Sequence, residues 1–201
     1  MSIKITTLVE NSVYGKGLQG EHGLSLLVDT GEHRLLFDTG ASDLFIRNAR
    51  ILGIDLKEVD FLVLSHGHRD HTGGLHHFLA VNDKAQVVCK RELFQSKFKD
   101  ERENGVMQPD ALDGTRFRFV DEVTELCRGV FVFPQLPVTD EEDTHFEHFF
   151  TWAEGRKQAD TFTDELALVL KQGAEVSVLS ACSHRGITNI IRAVPVSYTH
   201  L

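Results

Sequence analysis

Six consecutive positions, HGHRDH at residues 66–71, hold three imidazoles and a carboxylate. These are the nitrogen and oxygen groups that ligate divalent cations. His66 and His68 stand two apart, so an extended backbone points both rings the same way. Asp70 and His71 follow at a turn, where they can serve a second point about 3.5–4 Å away, the separation of paired catalytic metals. Solvated loop histidines would account for a lone His-x-His pair. Four ligand-type residues between an apolar run and Thr72-Gly73-Gly74 point instead to a metal site. Zinc suits such a donor set best, with iron or manganese as alternatives.

The elements that must position this loop can be read around it. FLVLS (61–65) is a short continuous apolar run, as expected of a strand covered on both faces. Gly67 keeps the loop narrow, and Gly73 and Gly74 let the next helix, near 74–81, start close to the site. Upstream, IKITTLV (3–9), LSLLVD (24–29) and RLLFD (34–38) are β-rich, and SDLFIRNARIL (42–52) reads as a helix capped near Ser42 or Asp43. Downstream come a strand QVVC (86–89), a helix near 91–97, and a polar loop or lid over 98–117. FRFV (117–120), VFVF (130–133), LALVL (166–170) and EVSVLS (175–180) read as strands, whereas the acidic–aromatic stretch 137–150 gives no clear pattern. In ITNIIRAV (187–194), Ile187, Ile190, Ile191 and Val194 fall at helical spacing, and Pro195 is expected to break that helix. Mixed strands and helices of this kind predict an α/β sandwich.

The chain as a whole excludes several roles. Its 201 residues are 41% hydrophobic and 25% charged, an ordinary globular composition for one domain. A net charge of −9 with no Lys/Arg stripe argues against a nucleic-acid partner. A small-molecule substrate is expected, and a phosphorylated one remains open because metal ions would supply local positive charge. MSIKITTLVEN has no apolar run long enough for a signal peptide or membrane span. Cys89, Cys127 and Cys182 are odd in number and far apart, which argues against a disulfide framework and for a reduced, cytoplasmic protein.

HGHRDH resembles the signature of the metallo-β-lactamase superfamily. EHGLSLLVDT (21–30), LLFDTG (35–40), LGIDLKEVDFLVLSHGHRDHTGGL (52–75), DELALVL (164–170) and ACSHRGITNIIRA (181–193) extend the resemblance. They are similar to the branch containing the archaeal ribofuranosylaminobenzene-phosphate synthase of methanopterin synthesis and many metal-dependent hydrolases. The resemblance implies a four-layer αββα sandwich over residues 1–194 with two bound divalent metal ions. It matches His66 and His68 to the first metal and Asp70 and His71 to the second, with His184 as a further ligand. Asp38 of FDTG looks like a carboxylate that orients a ligating imidazole, the alternative being a strand-end cap. Cys182 stands where the superfamily has a bridging Asp and reads as a thiolate ligand or, more usually, a buried structural thiol; Asp164 lies near the place of an earlier His. His22 matches a feature of the branch and lines the pocket or sits in a turn. His33, His76 and His77 read as turn, surface or packing residues, and His145 and His148 as solvated loop residues.

This branch continues to a Gly-Gly-Phe-His-Leu strand with one more histidine. The chain ends before it, so truncation is expected, with 195–201 as a non-native tail in which His200 carries no role. The implied activity is a hydrolase that directs a metal-bound hydroxide at an ester, thioester, lactone or phosphoester bond, with Asp70 as ligand and catalytic carboxylate. Two alternatives stand beside it: a metal-dependent phosphoribosyl-type group transferase, and a non-catalytic ligand-binding member of the same fold.

Overall fold

Apolar runs form the spine of a six-stranded sheet. β1 (Lys4–Val9), β2 (Ser25–Asp29) and β3 (Arg34–Phe37) make an antiparallel meander. β3, β4 (Phe61–Val63) and β5 (Gln86–Cys89) then run parallel. Between β3 and β4 the chain forms α1 (Leu44–Ile51); between β4 and β5 it forms the single turn α2 (Arg69–Thr72) and then α3 (Leu75–Val81). Leu35, Leu36, Phe37, Leu62, Val63, Val87 and Val88 are wholly buried, the pattern of parallel strands covered on both faces. α1 turns Leu44, Phe45 and Ala49 inward. Asn48 fastens α1 to its surroundings, its amide donating to the carbonyls of Leu8 and Gln19 at 2.7 and 2.8 Å.

The computed structural model describes residues 3–108, 112, 114–153 and 155–198, in two compact units. The first comprises Met1–Leu64, His68–Val88 and Val106–Arg118; the second comprises Ser65–Gly67, Cys89–Gly105 and Phe119–Leu201. In the second unit, β6 (Lys97–Lys99) and β7 (Arg102–Glu103) form a hairpin. The six-stranded sheet is completed at its edge by β8 (Phe117–Phe119). Later strands are β9 (Thr124–Cys127), β10 (Val130–Phe133), β11 (Phe149–Ala153), β12 (Arg156–Ala159), β13 (Ala167–Gln172) and β14 (Glu175–Leu179). They build two antiparallel sheets, in the orders β14-β13-β10-β9 and β12-β11-β6-β7. α4 (Ile187–Tyr198) packs Ile190 and Val194 on Phe131, Phe133, Ala167 and Val169.

Three expectations need correction. The helix near 91–97 is a 3₁₀ turn, Arg91–Phe94, followed by β6, where Lys97 pairs with Thr151 of β11 and buries its side chain. The lid over 98–117 is partly regular: it contains β7 and a 3₁₀ turn at Gly114–Arg116, and Arg116 donates to the carbonyls of Asn82 and Ala85. Positions 109–111 and 113 lie outside the described residues. Pro195 does not end the last helix. It forfeits one helical N–H bond, and the helix continues to Tyr198 from a base packed on the sheet. Of the expected tail, 199–201 with His200 fall outside the described residues. Among the described residues no helix is long and apolar enough to cross a membrane.

Candidate metal centre

The parallel strands end where the chemistry begins. In open α/β sheets the carboxyl ends of the strands present ligand-binding residues. Asp38 directly follows β3, and the histidine motif follows β4 after Leu64 and Ser65.

In the first unit the Asp38 amide donates to the Val63 carbonyl at 2.9 Å, and Thr39 donates through its amide and its hydroxyl to the His71 carbonyl. Asp38 has φ 61°, a left-handed conformation that only a few residue types adopt readily. It is wholly buried, and its Oδ2 lies 2.7 Å from His71 Nδ1. An ionised carboxylate only accepts, so Nδ1 carries a ring proton and Nε2 is left to face Asp70. That Nε2 lies 3.3 Å from Asp70 Oδ2. Two lone pairs facing each other at this distance call for a shared positive charge, either a second ring proton or a metal cation. An imidazole backed by a carboxylate is a recurrent arrangement in metal sites. Although burial pushes the Asp70 carboxyl up, its bond and attraction to His71 prevail and hold it at about 2. His22, on the exposed side, places Nε2 at 3.4 Å from the same Asp70 oxygen while Nδ1 meets Asn11 Oδ1 at 2.9 Å. His68 is buried in this unit as the residue that caps α2.

The second unit holds the other motif residue, His66, together with His184 and Cys182. A ring nitrogen of His66 lies within 4.8 Å of one on His184 and within 4.8 Å of the Cys182 sulfur. His66 and His184 are both buried, with ring centroids 5.1 Å apart. His184 Nδ1 donates to the His145 carbonyl at 3.0 Å, which fixes its tautomer as Asp38 fixes that of His71. His66 Nδ1 meets the Ser65 hydroxyl at 2.8 Å. Phe162 stacks on His184 at 3.8 Å with the planes 11° apart. Ser183, just before His184, has φ 53°, and the Glu165 carboxylate accepts from the amides of His184 and Arg185, both at 2.8 Å. Burial pushes the Glu165 carboxyl up, to about 7, against these amide bonds. Cys182 is exposed, so it is not the buried structural thiol considered above. Its place near His66 keeps it a candidate thiolate. Burial instead marks Cys89, whose thiol is pushed up to about 12.

Sequence reasoning missed Lys97, Asp160, Glu165 and Phe162. Their signal is weak: DTFTDE (160–165) is an acidic run, and Lys97 stands more than sixty positions away from it. Both Asp164 oxygens are engaged within the protein. Its Oδ2 accepts the Gly67 amide at 2.7 Å and its Oδ1 the Lys97 ammonium at 2.9 Å.

A fold of this kind with these donors defines a class. The model of the metallo-beta-lactamase superfamily matches residues 18–164, and the chain belongs to that superfamily, with its α/β sandwich fold. Among individual relatives, the crystal structure of Tm1679, described as a metal-dependent hydrolase of the beta-lactamase superfamily, is similar at 33% identity and a TM-score of 0.82 over 98% of this chain and 72% of that one. The 7,8-dihydropterin-6-methyl-4-(beta-D-ribofuranosyl)-aminobenzene-5'-phosphate synthase of Methanocaldococcus jannaschii is 29% identical over 95% of this chain and 71% of its own length. An uncharacterized protein of the same archaeon is 28% identical over 93% of this chain and 72% of its own.

Proposed function

We propose that the protein is a metal-dependent hydrolase whose motif loop carries the metal ligands. The observation that carries this reading is His71, its Nδ1 proton held by Asp38 and its Nε2 directed at Asp70. Within the first unit His68, Asp70 and His71 offer ligand atoms, and within the second unit His66 and His184 do. Two zinc ions suit nitrogen and oxygen donors, with iron or manganese as alternatives. Bound cations would acidify water so that a nucleophile exists at neutral pH, and would polarise the bond to be cleaved.

The chain's own residues do the rest. Asp38 sets the His71 tautomer and raises its basicity as a ligand. Asp70, held at about 2, is ionised throughout the neutral range, which suits ligation and orientation of water more than storage of a proton. No serine or cysteine nucleophile is required. Hydrolysis is the reading supported by the similarity to a metal-dependent hydrolase, and an ester, thioester, lactone or phosphoester is the bond proposed for it. A second reading, phosphoribosyl-type group transfer, is favoured by the 29% identity to a synthase. Zinc content, chelation and metal add-back, followed by assay on one substrate of each bond type, test the proposal. Turnover should vanish on chelation and return with zinc. Turnover indifferent to chelation would overturn it, and a product formed only with an amine or aromatic acceptor would favour the transferase.

A further inference from the structure

Resting on the reading of the motif as a metal-binding loop, we propose that Lys97, Asp160 and Asp164 form a buried ionic anchor for the backbone between His66 and His68. Asp164 is then a positioning residue acting through Gly67, not a metal ligand.

The three side chains are sealed from solvent, with Lys97 at 1%, Asp160 at 4% and Asp164 at 0% exposure. Lys97 Nζ donates to Asp160 Oδ2 at 2.7 Å and to Asp164 Oδ1 at 2.9 Å. The remaining Asp164 oxygen accepts the Gly67 amide at 2.7 Å. That amide belongs to the one residue separating the two histidines. A carboxylate-bound N–H is short and strong, so it fixes the peptide from which both rings diverge. Sterics agree. A Cβ on Gly67 would come within 2.4 Å of the Leu93 carbonyl oxygen and 2.9 Å of Lys97 Cε, so the loop lies directly on the anchor. Asp160 is tied in turn: its Oδ1 accepts the Phe162 amide at 2.8 Å, at a residue with φ 51° whose ring lies 5.2 Å from Lys97 Nζ and stacks on His184.

Energetics favour a positional role. Two carboxylates against one ammonium leave uncompensated charge in a dry interior, and an apolar substitute of similar volume would commonly be at least as stable. What apolar side chains cannot do is accept the Gly67 amide. The loop gains a fixed geometry from an arrangement that is poor as a source of stability.

The test compares Asp164→Asn with Asp160→Asn and the wild type. In Asp164→Asn the new amide NH₂ must face either the Gly67 N–H or Lys97, so one bond is lost. Asp160→Asn leaves the Gly67 bond intact. Zinc affinity is read by titration against a chelating indicator, and loop protection by hydrogen exchange in the metal-free proteins. Asp164→Asn should weaken zinc binding by about 10–100-fold, the range for residues that orient ligands, and speed exchange at Gly67. Asp160→Asn should lose thermal stability with a smaller loss of zinc affinity. Equal zinc affinity in wild type and Asp164→Asn would overturn the proposal. So would a Gly67 amide that exchanges freely in the wild type, a measurement that needs no variant to fold. A wild type that takes up no zinc would overturn the metal-binding reading instead, while Gly67 protection still decides whether the anchor exists.

Discussion

The two units treat their histidines differently. In the first, a side-chain carboxylate acts on the ring itself: Asp38 accepts the hydrogen bond that His71 Nδ1–H donates. In the second, the carboxylates act on backbone: Asp164 holds the Gly67 amide, and Glu165 holds the amides of His184 and Arg185. The rings there find their partners in the Ser65 hydroxyl and the His145 carbonyl. A carboxylate on a ring tunes how strongly the nitrogen binds, whereas a carboxylate on an amide decides where the ring stands. Electronic tuning thus concentrates at His71, and placement concentrates at His66 and His184.

Substitutions can break this contrast. The largest effect is expected from Asp38→Asn, which can donate to Nδ1 and so favour the tautomer whose Nε2 carries the proton. Metal affinity should fall by about 10–100-fold, read by zinc titration. A loss no larger than that of a surface carboxylate variant would erase the distinction between the units. Ser65→Ala should cost less, because a hydroxyl can donate or accept and does not dictate the His66 tautomer. One neutral hydrogen bond is worth about 0.5–1.5 kcal/mol, so zinc affinity should weaken by about tenfold at most. The mildest test leaves the chain unaltered. Iodoacetamide should alkylate exposed Cys182 and spare Cys89, which is buried and holds its proton to about 12. Mass spectrometry reads both sites. Protection of Cys182 by zinc would add a thiolate to the second unit's donors, and an unchanged rate would leave it out.

Sequence and structure agree most closely where burial is complete. VFVF is legible to the residue as β10, because a wholly buried strand writes itself as an uninterrupted apolar run, and QVVC as β5, whose three residues after the exposed Gln86 are buried and apolar. β6, β9 and β12 were not, since KFK, TELC and RKQA are polar or half-exposed and become strands through their hairpin partners. The site divides the same way. Spacing alone exposed His66, His68, Asp70 and His71, and resemblance added His184 and Asp38. The union of Lys97 with Asp160 and Asp164 joins positions 63 and 67 apart, a distance that no local pattern encodes. The exposure of Cys182 was likewise invisible to the sequence, because a thiol carries no periodicity of its own.

The left-handed turn at Asp38 sets a double filter on which amino acids position 38 can tolerate. Glutamate would keep the charge but resist the backbone twist; glycine would accept the twist and surrender the proton acceptor; asparagine would satisfy the twist and lose the charge. Aspartate passes both requirements. A library randomised at this codon and selected for zinc retention should therefore return almost one residue, even though position 38 is not itself expected to touch an ion.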